Sequence, residues 1–509
     1  MKALFSVSDK RGLVEFAEAL TALGWEIIAT GGTQTALEKA GVAVTSISDV
    51  TGFPEICEGR VKTLHPKVHG ALLGRRDKPA HLEELKANGI GLIDMVVVNL
   101  YPFEATIAKD GVSLEEAVEN IDIGGPSMLR SAAKNFRDVT VVCNPDKYEE
   151  VIKEIREGGN TTLETRFKLS AEAFTHTALY DSHIAEYMRR EAGLKEKLFL
   201  QFDEVQGLRY GENPHQKATF YRHKEDGAFS VAHAQQLQGK ELSYNNIQDA
   251  NAALSIVREF VEPFCVGLKH MNPCGADIGK DIEDAWDKAY EADKFSIYGG
   301  IVAFNRPVNK ETALKMKPIF LEIVIAPDFT KEAREVLAGK KNLRLLKVDM
   351  TERGGKGKQY TGVTGGLLVQ DADRETKEIT AKQCVSGPKP SAGELRDMNF
   401  GWKIVKHVKS NAIVVVKDGA TVGVGAGQMN RVGSARIALE QAAENKKYEG
   451  LVLASDGFLP FDDTVTLAAE HGVVAIVQPG GSIRDEECVE KAREKGIIMA
   501  MTGMRHFKH

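Results

Sequence analysis

Phe264-Cys-Val-Gly-Leu-Lys-His-Met-Asn-Pro-Cys-Gly275 is an apolar run that ends in a charged pair. It reads as a short buried strand, and Asn272-Pro273 is expected to stop it with a turn, because proline cannot donate to a ladder. A strand that ends this way belongs to an open α/β sheet, which presents side chains to ligands at that edge. Lys269 and His270 stand at the edge. A histidine there can move protons near neutral pH. The ammonium beside it favours the neutral imidazole that a general base needs. Taken alone, such a pair is more often a solvated strand end, so the rest of the chain decides.

Upstream, the first 150 residues alternate apolar strands with amphipathic helices. Ala3-Leu-Phe-Ser-Val, Trp25-Glu-Ile-Ile-Ala, Met95-Val-Val-Val-Asn-Leu and Val139-Thr-Val-Val-Cys read as strands. Helices fit at 11–22, 34–40, 80–88, 114–120 and 128–136. This is the rhythm of a parallel sheet covered on both faces. Thr161-Thr-Leu-Glu164 has the form of a capping box and opens a helix expected to run to Arg190. Downstream, a faint duplication shows. One copy has strands at 264–268, 300–304 and 321–325 with helices at 280–291 and 309–316. The other has strands at 421–424, 450–454 and 473–477 with helices at 433–444 and 463–471. Glu352–Lys358 and Ser386–Pro390 read as flexible segments. The expected domains are 1–197, with a helical part at 162–191, and 198–509, with subdomains 198–375 and 376–509.

A chain of 509 residues exceeds one core and calls for two to four domains of roughly 100–200 residues. A net charge of −6 gives no reason to expect nucleic acid or an anionic membrane as partner. Local basic residues, Arg60 to Lys67 and Arg75-Arg76, point instead to a small anionic ligand. No apolar stretch approaches the roughly 18 residues of a membrane span, and the first residues read as a strand, not a secretory signal. Six cysteines lack C-x-x-C spacing, which argues for reduced thiols in the cytoplasm. Cys274 follows a proline as in the zinc deaminases, but no second cysteine and no H-x-E accompany it, so it reads as no ligand.

Two clusters carry chemistry. In the first, Thr30-Gly31-Gly32-Thr33 joins a strand to a helix, where N–H groups and the positive helix end accept an anion. Gly59-Arg60-Val-Lys62-Thr63-Leu-His-Pro66 brings two cations, a hydroxyl and a histidine into one loop. Asn99 and Tyr101 leave the C-terminal end of a buried strand. Asp122, flanked by apolar residues, is suited to polarising an amide. Arg130 and Lys134 share a helix face, where either a protein carboxylate or a ligand must offset their repulsion. In the second cluster, Arg209-Tyr210-Gly-Glu-Asn-Pro-His-Gln216 is an aperiodic polar loop and Asn411 precedes a strand. Gly423, Gly425 and Gly427 miss the G-x-G-x-x-G spacing, which rejects a dinucleotide site. Ser455 to Asp463 forms an aromatic stretch with carboxylates, suited to a flat heterocycle.

Phe5-Ser-Val-Ser8-Asp-Lys10, Gly59–Pro66, Asn99-Leu-Tyr-Pro-Phe103, Ile121–Gly125, Arg209–Gln216, Lys269-His270, Gly425-Ala-Gly-Gln428 and the tail Arg505-His-Phe-Lys-His509 lie in order along the chain. Together they resemble the AICAR formyltransferase/IMP cyclohydrolase family of bifunctional purine biosynthesis enzymes. The resemblance implies an α/β protein: a methylglyoxal-synthase-like three-layer domain, then two cytidine-deaminase-like subdomains lacking zinc. It implies formyl transfer from 10-formyltetrahydrofolate, the co-substrate, to AICAR, then closure of formyl-AICAR to IMP. It implies a homodimer and no required metal, and leaves a monovalent cation open.

On the family pattern His270 takes the amine proton, Lys269 serves the departing folate nitrogen, and Asn411 holds the carboxamide or oxyanion. Arg209 and Tyr210 hold the nucleotide, while Arg431, Phe458, Asp463, Ser482 and Arg505 line the substrate or folate pocket. For ring closure the resemblance gives Lys134 proton transfer, Asp122 orientation of the carboxamide, and Lys62 with the backbone near Tyr101 oxyanion stabilisation. Ser8, Lys10, Thr30, Gly31, Gly32, Thr33, Arg60 and Thr63 would hold phosphate and sugar. Three positions depart from the pattern: Tyr298-Gly299 replaces a common Phe-Gly, Glu322 stands for an aspartate, and Thr464 replaces an asparagine. A binding protein that had lost its chemistry would lack Lys62, Lys134, Lys269 or His270, and all four are present. Retention of only one activity is the other alternative.

Overall fold

The N-terminal apolar run forms β1 (Lys2–Val7), followed by α1 (Leu13–Ala22), β2 (Glu26–Ala29), α2 (Gly31–Lys39) and β3 (Val44–Ser46). Three helices, α3 (Ile47–Thr51), α4 (Pro66–Leu73) and α5 (Pro79–Ala87), lead to β4 (Met95–Asn99). Next come α6 (Phe103–Ile107), α7 (Leu114–Glu119), α8 (Gly124–Lys134) and β5 (Thr140–Val142). These strands form a parallel sheet in the order β3-β2-β1-β4-β5. The chain runs outward from β1 to β3 and then crosses back to β4. The crevice at the C-terminal ends of β1 and β4 is therefore the switch point where such sheets bind ligands.

α9 (Tyr148–Gly158) and α10 (Leu163–Glu191) complete the unit. The capping motif of α10 lies one residue later than its sequence suggests. Thr162 accepts from the Thr165 N–H at 3.1 Å, whereas the Thr161 hydroxyl is engaged with Thr140 at 2.7 Å. The computed structural model describes residues 1–223, 227–352, 357–445 and 449–509, and the chain divides into Met1–Gln201 and Phe202–His509.

The second unit starts with a hairpin of β6 (Asp203–Leu208) and β7 (Ala218–Arg222). One series of elements then occurs twice. The first copy opens with β8 (Gln235–Gln238), α11 (Tyr244–Val257), β9 (Phe264–Lys269) and β10 (Asn272–Ile278). It continues through α12 (Ile282–Ala292), the short α13 (Lys294–Ile297), β11 (Ile301–Phe304), α14 (Lys310–Met316), β12 (Ile323–Ala326), α15 (Lys331–Leu337) and β13 (Arg344–Lys347). A separate hairpin follows, β14 (Lys358–Val363) and β15 (Gly366–Asp371). The second copy opens with β16 (Cys384–Ser386), α16 (Ala392–Val405), β17 (Ile413–Lys417) and β18 (Ala420–Gly425). It ends with α17 (Arg431–Glu444), β19 (Leu451–Ser455), α18 (Asp463–Glu470), β20 (Val473–Gln478), α19 (Asp485–Glu494) and β21 (Ile498–Met501).

The two copies share one sheet, ordered β16-β21-β20-β19-β17-β18-β10-β9-β11-β12-β13-β8. The order reads alike from both ends, and the copies join at an antiparallel seam where Asp277 of β10 faces Ala420 of β18. Alternation along β9 explains the layering. Phe264, Val266 and Leu268 enter the core shared with α11 and α16, while Cys265 enters the opposite one under α12.

The duplication is real, its helix and strand pairs from 280 and 433 onward match as read, and only its first strand pair is corrected. β9 corresponds to β17, and residues 421–424 belong to β18, the counterpart of β10. Asn272-Pro273 does not end the strand in a turn. The reversal is made by His270 and Met271, both at positive φ (53° and 63°), and Asn272 already pairs with Lys269. Two such residues give the two-residue turn whose twist suits a hairpin. Pro273 sits beside an irregularity in the β9–β10 register, where its missing N–H disrupts the ladder least. Of the segment read as flexible at 352–358, residues 353–356 lie outside the described residues. The other, Ser386–Pro390, is tied down at its start, since Ser386 Oγ donates to the Ile497 carbonyl at 3.0 Å.

Candidate functional sites

In the first unit, residues that follow β1, β2 and β4 gather at the switch point. Asn99 Oδ1 accepts from the Ser8 and Asp9 N–H groups at 2.6 and 2.7 Å, and its amide donates to the Asp9 carbonyl at 3.0 Å. Thr33 Oγ1 accepts from the Val7 N–H at 2.9 Å, and Thr30 donates to Ser6 at 2.9 Å. Lys10 Nζ folds back onto the Val7 carbonyl at 3.2 Å. These bonds shape a bay below the N-terminus of α2, which Gly31 opens at φ +39°.

The 59–66 loop reaches the same bay. A Cβ on Gly31 would lie 3.5 Å from Lys62 Nζ, and one on Gly59 3.6 Å from it, so the ammonium stands close to both backbones. Lys62 is 4.0 Å from Glu55. Thr63 is buried and packs on Gly124, where a Cβ would sit 2.4 Å from its hydroxyl. Asp122 accepts from the Gly125 N–H at 2.8 Å, and its own N–H donates to the Tyr180 hydroxyl at 2.8 Å. Burial pushes the Asp122 carboxyl above its ordinary range, against the opposing pull of the Gly125 N–H and the Lys62 charge. Tyr101 is likewise raised, first by burial and then by the neighbouring Asp122 and Glu55 carboxylates. Lys62, Tyr101 and Asp122 therefore form one electrostatic group.

Two further residues of the sequence reading are solvent-exposed. Arg60 is exposed and paired with Glu119. Lys134 is exposed in the last turn of α8, about 15 Å along the axis from Gly124 at 1.5 Å per residue. Arg130 packs over the Phe174 ring at 5.4 Å.

The second unit builds its site around the His270–Met271 turn. A left-handed backbone costs a non-glycine residue roughly 1–2 kcal/mol, and such strain concentrates at functional sites. Neighbours hold it: Asp249 accepts from the Met271 N–H at 2.6 Å, and Asn272 donates to the His270 carbonyl at 3.0 Å. Asn272 also accepts from the Lys409 N–H at 3.0 Å, which fastens the turn beside the segment carrying Asn411. Lys269 Nζ donates to the Tyr298 carbonyl at 3.0 Å. The Tyr298 ring is exposed and lies 5.5 Å from Phe320, and Gly299 turns at φ +75°.

Asn411 follows a cis peptide bond with Ser410 and is clasped by Gln428, whose carbonyl accepts from its N–H at 3.1 Å and from its amide at 2.8 Å. A cavity of about 410 Å³ opens here, lined by Ser410, Asn411, Gly427, Gln428, Met429, Phe507 and His509. Beneath it the buried Asp456 binds the Arg431 guanidinium, the Ser410 hydroxyl and the Ala412 N–H. The Arg431 charge is therefore already matched. Arg505 lies over the Phe507 ring at 4.3 Å.

Elsewhere in the unit, Glu322 is held by Arg344 (3.1 Å) and Asn246 (3.2 Å). Arg209 stacks on Tyr210 at 4.9 Å. Phe458 is partly exposed, and Asp463 opens α18 while accepting from the Thr464 N–H at 2.6 Å. Ser482 accepts from the Arg484 N–H at 3.1 Å. Thr464 is fully buried, so its departure from the family pattern falls on a packed position.

Sequence reasoning missed Asp249, Asn272 and Asp456 as organisers. Asn272 was hidden by its role as an apparent strand breaker, and Asp456 carried no signal beyond its place after an apolar strand. Among the described residues no group of three or more His, Cys, Asp or Glu side chains is placed to hold a metal, and no helix is long and apolar enough to cross a membrane.

Known proteins match along both units. The AICARFT/IMPCHase bienzyme family matches residues 132–441, and the MGS-like domain residues 12–127. The chain is 57% identical over 510 residues to the bifunctional purine biosynthesis protein PurH of Listeria monocytogenes, with all of both chains covered. It is 56% identical to the PurH of Halalkalibacterium halodurans and 55% identical to that of Bacillus subtilis, each alignment covering 100% of this chain and 99% of the relative.

Proposed function

The chain belongs to the AICARFT/IMPCHase bienzyme family, and from that premise we propose how its two units carry out the final two steps of IMP synthesis. We assign formyl transfer to Phe202–His509 and ring closure to Met1–Gln201. The observation that carries the assignment of residues is Asn272, which ties the strained His270 turn to the segment bearing Asn411.

The formyl donor is 10-formyltetrahydrofolate. The 5-amino group of AICAR attacks the formyl carbon, and His270 takes the proton it sheds. Lys269 stands beside it to supply a proton to the folate nitrogen as the C–N bond breaks. The AICAR amine is a weak nucleophile because its lone pair is delocalised, so orientation and proton removal must supply the rate. One N–H of the Asn411 amide is spent on Gln428. Its other N–H and its oxygen remain for the carboxamide or the developing oxyanion. Arg209 and Tyr210 hold the nucleotide.

In ring closure the carboxamide nitrogen attacks the formyl carbon, the oxygen turns negative, and it leaves as water with one proton from the carboxamide nitrogen and one from the formamido nitrogen as the C=N bond forms, Lys134 acting as proton donor and acceptor. Lys62 faces that charge together with backbone N–H groups near Tyr101. Asp122, with its carboxyl raised by burial, orients the carboxamide and accepts its proton. Ser8, Lys10 and the α2 N-terminus with Thr30 to Thr33 receive the phosphate. Lys134, in the last turn of α8, is the residue to which we assign the proton transfer of ring closure. The working form is a homodimer in the cytoplasm, and light scattering reports the dimer directly.

Paired variants test the division of labour. His270→Ala should abolish formyl transfer while ring closure of supplied formyl-AICAR persists, and Lys62→Ala should do the reverse. Equal loss of both activities in either variant would refute it.

A further inference from the structure

The last residues of a chain fray unless something ties them down. Here His506 is held by Asp456 and Asp373, and Lys508 is tied through its backbone to Ser410. The Ser410 N–H donates to the Lys508 carbonyl at 2.8 Å, and the Lys508 N–H donates back to Ser410 Oγ at 3.0 Å. The Ser410 hydroxyl in turn donates to the buried Asp456, which also holds Arg431. On either side of Lys508, Phe507 and His509 line the cavity that contains Asn411.

The Lys508 side chain does not run into solvent. Its Nζ turns inward to the His407 carbonyl at 2.9 Å, and burial pushes the ammonium down to about 8. An ammonium taken from water for one protein hydrogen bond costs free energy that an exposed terminal lysine avoids. The cost is offset by anchorage. His407 and Ser410 lie three residues apart on the segment that leads into Asn411, and one lysine grips both, through its side chain and its backbone.

We propose that Lys508 is a positioning residue for formyl transfer, which by gripping His407 and Ser410 fixes the Asn411 amide against the reacting carboxamide. The proposal rests on the role given to Asn411 above. A bonded amide that strays by an ångström loses its purchase on developing charge, and displacements of that size cost about a hundredfold in rate.

The test is a double-mutant cycle on the full-length enzyme with Lys508→Met, Asn411→Ala and both together, each assayed for formyl transfer and for closure of supplied formyl-AICAR. Lys508→Met should lower kcat of formyl transfer by about tenfold or more, the range of a displaced catalytic amide. KM for the folate and the ring-closure rate should stay within about twofold. In the Asn411→Ala background the same change should have little further effect. Ser410→Ala, which removes the hydroxyl linking Lys508 to Asp456, should shift kcat in the same direction and serves if Lys508→Met does not fold. An undiminished kcat in Lys508→Met would overturn the proposal. So would effects of the two substitutions that multiply independently, or equal loss of both activities. If Asn411→Ala alone leaves formyl transfer intact, the role of Asn411 fails first, a result distinct from the failure of Lys508.

Discussion

Asp277 faces Ala420 across the seam where the two copies of the repeat meet, and neither of its carboxyl oxygens has a hydrogen-bond partner among the described residues. Lys288 Nζ stands 3.6 Å away, Asp284 lies on the same side, and Arg396 contributes a weaker charge. Burial dominates and pushes the carboxyl up to about 8. At neutral pH the folded chain therefore holds a proton that the unfolded chain releases near its ordinary value of 3.8. Stability must fall as pH rises from about 4 to about 8, because the native state binds more protons across that window. Asp277→Asn keeps the neutral shape and should raise the unfolding temperature at pH 8 more than at pH 5. Calorimetry at the two values checks this, and the gain should be on the order of 1–3 kcal/mol at pH 8.

The opposite sign is expected at Glu259. Burial would raise its carboxyl, but the His407 hydrogen bond and Lys406, 3.0 Å away, hold it down at about 2. Burial keeps His407 itself below its usual range, which leaves Lys406 as the lasting counter-charge. The contribution of Glu259 is present above pH 4.5 and lost as pH falls towards 2. Glu259→Gln leaves the buried Lys406 only the more distant Asp373 carboxylate at 3.9 Å and should cost about 3–5 kcal/mol in urea unfolding at pH 7.

Gly125 is required by Asp122. A Cβ there would lie 2.4 Å from the Asp122 carboxylate and 2.8 Å from Leu100. Gly125→Ala must therefore displace Asp122. Ring closure should fall by about a hundredfold, as for any misplaced catalytic group, with formyl transfer unchanged in the same preparation.

The rate of ring closure should carry an acidic limb above the ordinary carboxylate value, because burial raises Asp122 and the carboxylate is the form that accepts a proton. Lys62 opposes that rise. In Lys62→Met the limb should move to higher pH on the residual activity, and Asp122→Asn should remove it. A pH–rate profile of kcat/KM on the three proteins decides the matter.

Much of this was legible in the residues. Period and apolarity located four of the five strands of the first sheet, missing the short, half-buried β3, and turn glycines marked the α2 bay. What the sequence concealed was long-range. Pro273 reads as a strand breaker, yet the register irregularity beside it lets β10 proceed, and that misreading set β9 against β18 while the four later pairs of the duplication were matched correctly. The pairing of Arg431 with Asp456, 25 residues on, was likewise invisible in the sequence.

The most direct test of the dual assignment is to incubate the purified chain anaerobically with AICAR and 10-formyltetrahydrofolate and to separate the purine products by chromatography. The account predicts IMP. Accumulation of formyl-AICAR would contradict the assignment of ring closure to the first unit, and the absence of any product would contradict both.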